Sequence, residues 1–137
     1  MNPGDSDPLV ETSSLRAVLT TIGYEYLLHR QMFGEFLDAI VGLADQVPSL
    51  TFHCRTDSQI ELAYLGQRFC ILHRYDREKK TSTLTSMAKA SFDGDALSPK
   101  CTLSMDKAGN LTRPDGKPGW PVRGGAERAF YYLLLGE

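Results

Sequence analysis

The sequence predicts an α+β fold, in which an antiparallel β-sheet of five to six strands, connected as a meander, packs on a long N-terminal helix, with a short C-terminal helix. Three observations support this fold class. Apolar residues recur at helical spacing up to about residue 47, alternate with polar residues from Leu50 to Tyr75, and return to helical spacing from Ala126 to Leu135. Helical segments that flank a run of strands are typical of a layered α+β domain.

The length predicts one small domain whose charge is unevenly distributed along the chain. The 137 residues suffice for a single domain over 13–137, preceded by a flexible tail over 1–12 that is rich in proline, glycine, serine and aspartate. Residues 1–50 carry two basic and seven acidic residues (−5), and residues 51–137 carry thirteen and ten (+3). This asymmetry favours head-to-tail contact between chains but is too weak to indicate nucleic acid.

Targeting signals and metal motifs are missing from the sequence. No apolar run approaches the length of a membrane span, and the acidic N-terminus does not have the pattern of a signal peptide. The three cysteines are widely spaced and form no CxxC motif. We therefore expect free thiols in a reducing cytoplasm, with no metal and no cofactor.

The first helix is predicted from a long apolar stripe that starts after Ser13 or Ser14, either of which suits an N-cap. The stripe steps by alternating four and three residues through Leu15, Leu19, Ile22, Tyr26, His29, Phe33, Phe36, Ile40, Leu43 and Val47. Because glycine weakens a helix, we expect a short first helix, a bend near Gly23 and a main helix over 24–46, stopped by Pro48. The stripe is wide, which favours burial against the sheet; a continuous coiled coil is the alternative.

The first three strands are predicted with a register. Gly66-Gln67 fits a two-residue type II′ turn, which would place Leu62 opposite Ile71 and Ile60 opposite His73. The loop over 56–58 would place Phe52 opposite Leu62. Both turns put the same residues on one apolar face: Leu50, Phe52, Cys54, Ile60, Leu62, Tyr64, Phe69, Ile71, His73 and Tyr75.

The remaining elements are shorter and less regular. We expect a fourth strand over 81–92, a loop over 93–99, a fifth strand over 101–105 and a sixth over 111–113. The stretch 114–125 is dense in proline and glycine and is predicted to be a loop. A closing helix over 126–135 completes the domain.

Candidate catalytic residues are few. His53 and Glu61 are expected to be cross-strand neighbours, and a carboxylate can hold a histidine as a general base. His73 lies with Tyr75 on the apolar face, where His29 of the helix could meet them in a polar pocket. Since no nucleophile motif accompanies these residues, a structural pair and a satisfied core histidine are the simpler interpretations.

Two further sets of residues are candidates for binding. Arg123, Gly124 and Gly125 precede a helix, where free N–H groups favour an anion, although they match no phosphate-binding fingerprint. The outer face of the sheet carries unexplained apolar side chains and is a candidate partner-binding surface together with a tryptophan in the proline-rich loop. Its candidate residues are Ala63, Cys70, Leu72, Arg74 and Trp120.

These patterns favour a non-enzymatic protein-binding module, such as a regulator, inhibitor or adaptor, whose partner is another protein or a second copy in a homodimer. One alternative is a small enzyme or ligand-binding domain that uses His53 and Glu61 or a pocket at His73. Another is nucleotide or nucleic-acid binding through Arg55, Arg74 and Arg123.

Overall fold

The computed structural model describes residues 8–89 and 97–137, with side chains described from Ser13 onward. The elements follow in the order α1 (Pro8–Val41), a 3-10 helix (Gly42–Asp45), β1 (Leu50–Arg55), β2 (Gln59–Tyr64), β3 (Gln67–Asp76), β4 (Thr81–Lys89), β5 (Leu97–Met105), β6 (Asn110–Thr112), β7 (Trp120–Pro121) and α2 (Val122–Leu135). The strands form one antiparallel meander in sequence order. The predicted α+β class is confirmed.

Among residues 8–89 and 97–137 the sheet has seven strands rather than the predicted five to six. The additional strand, β7, lies in the stretch that we predicted to be a loop, and Trp120 pairs with Leu111 of β6. Two residues cannot show an alternating pattern, and Pro121 argues against a strand except at a sheet edge, which is where it lies. β5 also begins earlier than predicted, at Leu97, while residues 90–96 of the predicted strand and loop lie outside the described residues.

Helix α1 is continuous through Gly23, so the predicted bend is wrong. It begins at Pro8 rather than after Ser13, and proline suits a first helical position because its missing N–H would be unpaired there anyway. The α-helix ends at Val41 and tightens into the 3-10 turn before Pro48. A single interior glycine costs about 1 kcal/mol, which is too little to break a helix of this length. Residues 1–7 of the predicted tail lie outside the described residues.

The turn between β2 and β3 differs from the prediction by one residue. Its central residues are Leu65 and Gly66, both with positive φ (53° and 80°), as a type I′ turn requires. Leu62 therefore lies opposite Phe69 rather than Ile71, and Ile60 lies opposite Ile71. The pairing moves by two positions, which is an even number, so every side chain keeps its predicted face.

A β-bulge interrupts the pairing of β1 with β2. Phe52 lies opposite Leu62 as predicted, but the register shifts between Phe52 and Cys54, and Cys54 then pairs with Glu61. The extra residue turns Cys54 from the predicted core face to solvent, where it is exposed. Bulges of this kind are common on edge strands, and β1 is the edge of the sheet.

One apolar core lies between the sheet and the two helices. Phe33 and Phe36 of α1 pack there with Leu133 of α2, and each is completely buried. The sheet contributes its predicted face, including Ile60, Leu62, Ile71, Leu84 and Leu103, all at most 1% exposed. Helix α2 begins four residues earlier than predicted, although Arg123 and Gly124 have non-helical backbone angles.

Candidate functional site

The N-terminal half of α1 extends past the sheet with its apolar side exposed. With 34 residues the helix is about 51 Å long. Its burial becomes complete only at His29, which is 1% exposed, whereas Leu15 is 59% and Leu19 is 68% exposed. We use the term N-terminal stripe for the partly or largely exposed residues Leu15, Val18, Leu19, Ile22 and Tyr26.

The N-terminal stripe repeats the buried side of the same helix. Five helical turns contain about eighteen residues, so positions eighteen apart lie on the same side of the helix. Leu15, Val18, Leu19 and Ile22 precede by that interval four residues that are at most 1% exposed: Phe33, Phe36, Leu37 and Ile40. The stripe therefore has the character of a core surface, and the prediction that the sheet buries its whole length is wrong for the first half.

The turn between β3 and β4 marks where the sheet ends along α1. The Tyr75 hydroxyl donates a hydrogen bond of 3.3 Å to Glu25 Oε2, and its ring meets Tyr26 edge-on with 5.9 Å between centroids. These contacts hold the helix at the rim of the sheet. Toward the N-terminus, Thr20 and Thr21 bond only to carbonyls one turn earlier in the helix, as side chains of a free-standing helix do.

The predicted partner-binding face of the sheet lies on the side away from both helices. Leu72 and Ala63 are half-buried there, and Cys70 is only 5% exposed, so Cys70 offers little contact area. Burial and the nearby Glu61 carboxylate raise the pKa of the Cys70 thiol. Leu72, Ala63 and Cys70 are less exposed than the leucines of the N-terminal stripe, and the binding role of this face stays a prediction.

His53 and Glu61 line a cavity of about 170 Å³ on the same outer face, next to Cys70. They are not directly opposite, because the bulge places Cys54 across from Glu61. His53 is exposed, and its Nε2 lies 3.4 Å from Thr51 Oγ1. The structure thus brings the two candidates to one cavity without the histidine–carboxylate hydrogen bond that a general base would use.

The predicted meeting of His29, His73 and Tyr75 does occur, in a closed cluster. The rings of His29 and Tyr75 lie 4.8 Å apart, and His73 stacks on Phe33 at 5.0 Å. Burial, with His29 and Arg30 nearby, lowers the pKa of His73 to about 4. Burial likewise lowers the pKa of His29. Both histidines are therefore neutral at physiological pH.

Ser82 is the residue of this cluster that the sequence interpretation missed. Its Oγ shares a hydrogen bond with His29 Nδ1. A serine beside a histidine can form a nucleophile–base pair, but these two side chains are 0% and 1% exposed, so no substrate reaches them. This hydrogen bond gives the buried His29 imidazole a partner. The available signal was that Ser82 and Ser86 alternate in phase with Leu84, which places both on the core face.

Of the three candidate arginines, Arg123 and Arg55 already form ion pairs with acidic residues of α1, and Arg74 lies on the opposite face of the sheet. Arg123 binds Glu35 with two hydrogen bonds of 3.0 and 3.1 Å, next to Gly124, which has a φ of +93°. Arg55 Nη1 lies 2.7 Å from Asp38 Oδ1. Arg74 follows core-facing His73 in β3 and therefore points to the opposite face of the sheet. An anion at Arg123 would have to compete with the Glu35 carboxylate.

Trp120 packs against the core from β7 and is half-buried. Its ring lies 5.8 Å from that of Tyr132 in α2, and the Arg113 guanidinium stacks over both rings. Trp120 is therefore held in place by the packing of the fold, and its role in partner binding stays a prediction.

A second apolar surface lies at the far end of the molecule from the N-terminal stripe. It is an open groove of about 360 Å³ between the 3-10 helix, the start of β1 and the last turns of α2. Leu50 and Leu134 form part of its floor and are 4% and 5% exposed, while Tyr131 and Leu135 at its rim are 49% and 42% exposed.

Within residues 8–89 and 97–137, no three histidine, cysteine or acidic side chains cluster closely enough to hold a metal ion. No helix among these residues has both the length and the apolar character needed to cross a membrane. No protein-family model matches the chain, and no curated protein or solved structure has detectable similarity to it.

Proposed function

We propose that the protein is a small protein-binding module, a regulator, inhibitor or adaptor, whose contact surface is the N-terminal stripe of α1. The observation that carries this proposal is the exposure of Leu15, Val18 and Leu19, which occupy helix positions equivalent to those of the fully buried core residues. Contiguous exposed apolar surfaces of this kind usually mark an interaction site. Helices that present an apolar side to a partner are a recurrent mode of protein recognition.

The polar constellations give less support to the enzymatic and nucleic-acid alternatives. His29 and Ser82 are closed to solvent, and the two arginines Arg55 and Arg123 are paired with acidic residues of α1. The stripe differs from these features because it is apolar and accessible, with Leu15, Val18 and Leu19 between 55% and 68% exposed.

The proposal is tested by placing a charge on the stripe. Leu19→Glu replaces its most exposed leucine, and Ala17→Glu is the matched control, since Ala17 is exposed on the opposite side of the same helix. Burying one leucine in a contact is worth about 1.5–3 kcal/mol. We therefore expect Leu19→Glu to weaken partner binding by about tenfold or more.

The measurement has two stages. The first stage identifies proteins that copurify with the tagged wild-type chain and with Ala17→Glu but not with Leu19→Glu. In the second stage the purified partner is titrated against all three chains by calorimetry. Equal thermal stability of the three chains is required and expected, because both substitutions are on exposed positions. Equal affinity of wild type and Leu19→Glu for every partner would refute the proposed surface.

A further inference from the structure

We infer that the N-terminal stripe is covered in solution by the same stripe of a second copy of this chain, with the two α1 helices running antiparallel. This inference rests on the proposed function, because it names the partner of the same surface. It follows from the area of the stripe, from its charge and from the position of the sheet relative to it.

The area of the stripe suits a pair of helices. Leu15, Val18 and Leu19 are 55–68% exposed and Tyr26 is 38% exposed. A contact of stripe on stripe would therefore be small, on the order of the 1,200 Å² at the lower end of the range for stable interfaces. Leu15, Leu19, Ile22 and Tyr26 step by four and three residues, which is the spacing of a two-helix seam, and Val18 lies beside them. We therefore expect a weak, reversible dimer.

The charge of this segment permits self-association. Between Ser13 and Leu28 the helix carries one basic residue, Arg16, and one acidic residue, Glu25, so its net charge is zero although the whole chain is at −2. Two identical surfaces can thus approach without the repulsion that like charges produce. A partner of strong opposite charge would find little on this surface to recognise.

The position of the sheet selects the antiparallel arrangement. From His29 onward the sheet covers the side of α1 on which the stripe continues. In a parallel pair, both sheets would need the same space between the two helices. In an antiparallel pair, each stripe lies on the other and the two sheets lie at opposite ends of the assembly.

A closed dimer also accounts for the stripe better than a chain of molecules. If the stripe of one copy bound the apolar groove at Leu50 and Leu134 of another copy, the contact would be head-to-tail. The second copy's stripe would then stay exposed and could bind a third copy, and so on. Pairing stripe on stripe uses the same surface on both copies and stops at two. Most homo-oligomers have such twofold symmetry.

Sedimentation equilibrium of the full chain tests the inference. At high micromolar concentration we expect wild type and Ala17→Glu to sediment at twice the 15.2 kDa of one chain, and Leu19→Glu at the mass of one chain with an unchanged circular dichroism spectrum. A wild type that stays at 15.2 kDa, or a Leu19→Glu dimer, would overturn the inference. If wild type is a monomer but a different protein binds it in a manner sensitive to Leu19→Glu, the second copy is rejected and the proposed function stands. If wild type is a monomer and Leu19→Glu changes no binding, both fail.

Disulfide trapping then tests the orientation. Leu15→Cys, Leu19→Cys and Ile22→Cys are made one at a time with Cys54→Ser, because Cys54 is exposed and would cross-link by itself. An antiparallel pair should cross-link strongly at the position nearest the twofold axis and weakly at the others. Equal cross-linking at all three positions would indicate a parallel pair and overturn the antiparallel arrangement. A dimer that cross-links at none of them would have its interface elsewhere, and the inference would fail.

Discussion

His73 gives the most direct test of how the sheet and α1 pack. Its imidazole stacks on Phe33 with 5.0 Å between ring centroids and an interplanar angle of 16°. It is 7% exposed, and its Nε2 has no hydrogen-bond partner among the described residues. A buried nitrogen without a partner costs about 1–3 kcal/mol. His73→Phe keeps an aromatic ring on Phe33 and removes that nitrogen, so we expect it to be at least as stable as wild type at neutral pH.

The pH dependence has a definite sign. Burial, and then the positive charges of His29 and Arg30, lower the pKa of folded His73 from 6.5 to about 4. Between these values the unfolded chain binds a proton that the folded chain does not, so stability falls as the pH drops from 6.5 toward 4. The full difference corresponds to roughly 3 kcal/mol. We expect about 2 kcal/mol, because the side chain is not completely buried.

Urea unfolding between neutral pH and about pH 4 measures this effect. The lowered pKa of His29 gives wild type and His73→Phe a common acid sensitivity, so the quantity that decides is the difference between the two chains. We expect wild type to lose about 2 kcal/mol more than His73→Phe across this range. His53→Phe is the matched control, since it removes an exposed histidine of β1 and should follow wild type. Parallel curves for wild type and His73→Phe would refute the buried, neutral state of His73.

Three further predictions concern the sheet. Leu62→Ala should cost about 2–5 kcal/mol in urea melts because Leu62 is 1% exposed in the core, and a loss under about 1 kcal/mol would contradict that position. Leu65→Asn should raise the free energy of unfolding by roughly 1 kcal/mol, because asparagine suits the first central position of a type I′ turn before Gly66. Leu65 has a φ of 53° and is 71% exposed. Unchanged or lower stability would argue against this turn. In native buffer a thiol reagent should label exposed Cys54 first and buried Cys70 last. Slow labelling of Cys54 would indicate that it lies on the core face after all.

Side-chain alternation predicted the faces of the sheet better than its pairing. The central residues of the turn between β2 and β3 are Leu65 and Gly66, one residue earlier than predicted. The prediction puts glycine at the first central position of the turn, because a positive φ at leucine is unusual. The face assignment survived since the resulting shift is even. At Cys54 it did not survive, because an alternating sequence carries no mark of a bulge. The short strand β7 was missed for a related reason: two residues define no period.

The candidate site was harder to predict because it depends on what covers a residue rather than on the residue itself. Leu15 and Phe33 have equivalent helical positions, and periodicity assigns them the same environment. They differ only in whether the sheet extends far enough to cover them. The extent of the sheet along α1 is set by the turn between β3 and β4 near Tyr75. Burial against the sheet holds for the C-terminal half of α1, where Phe33, Phe36 and Ile40 are completely buried. For the N-terminal half the coiled-coil alternative stays a prediction.

This division of α1 makes binding and folding separable. The core stripe from Phe33 to Ile40 is fully buried by the chain itself, so the domain does not need a partner to complete its core. The N-terminal stripe has the same apolar character, yet its leucines and Val18 are 55–68% exposed. Charges placed at Leu19 should therefore act on association alone, whereas the same change at Leu37, eighteen residues later on the same side, should unfold the domain. An apolar helix surface that contributes so little to the fold of its own chain is the strongest physical reason to assign it a partner.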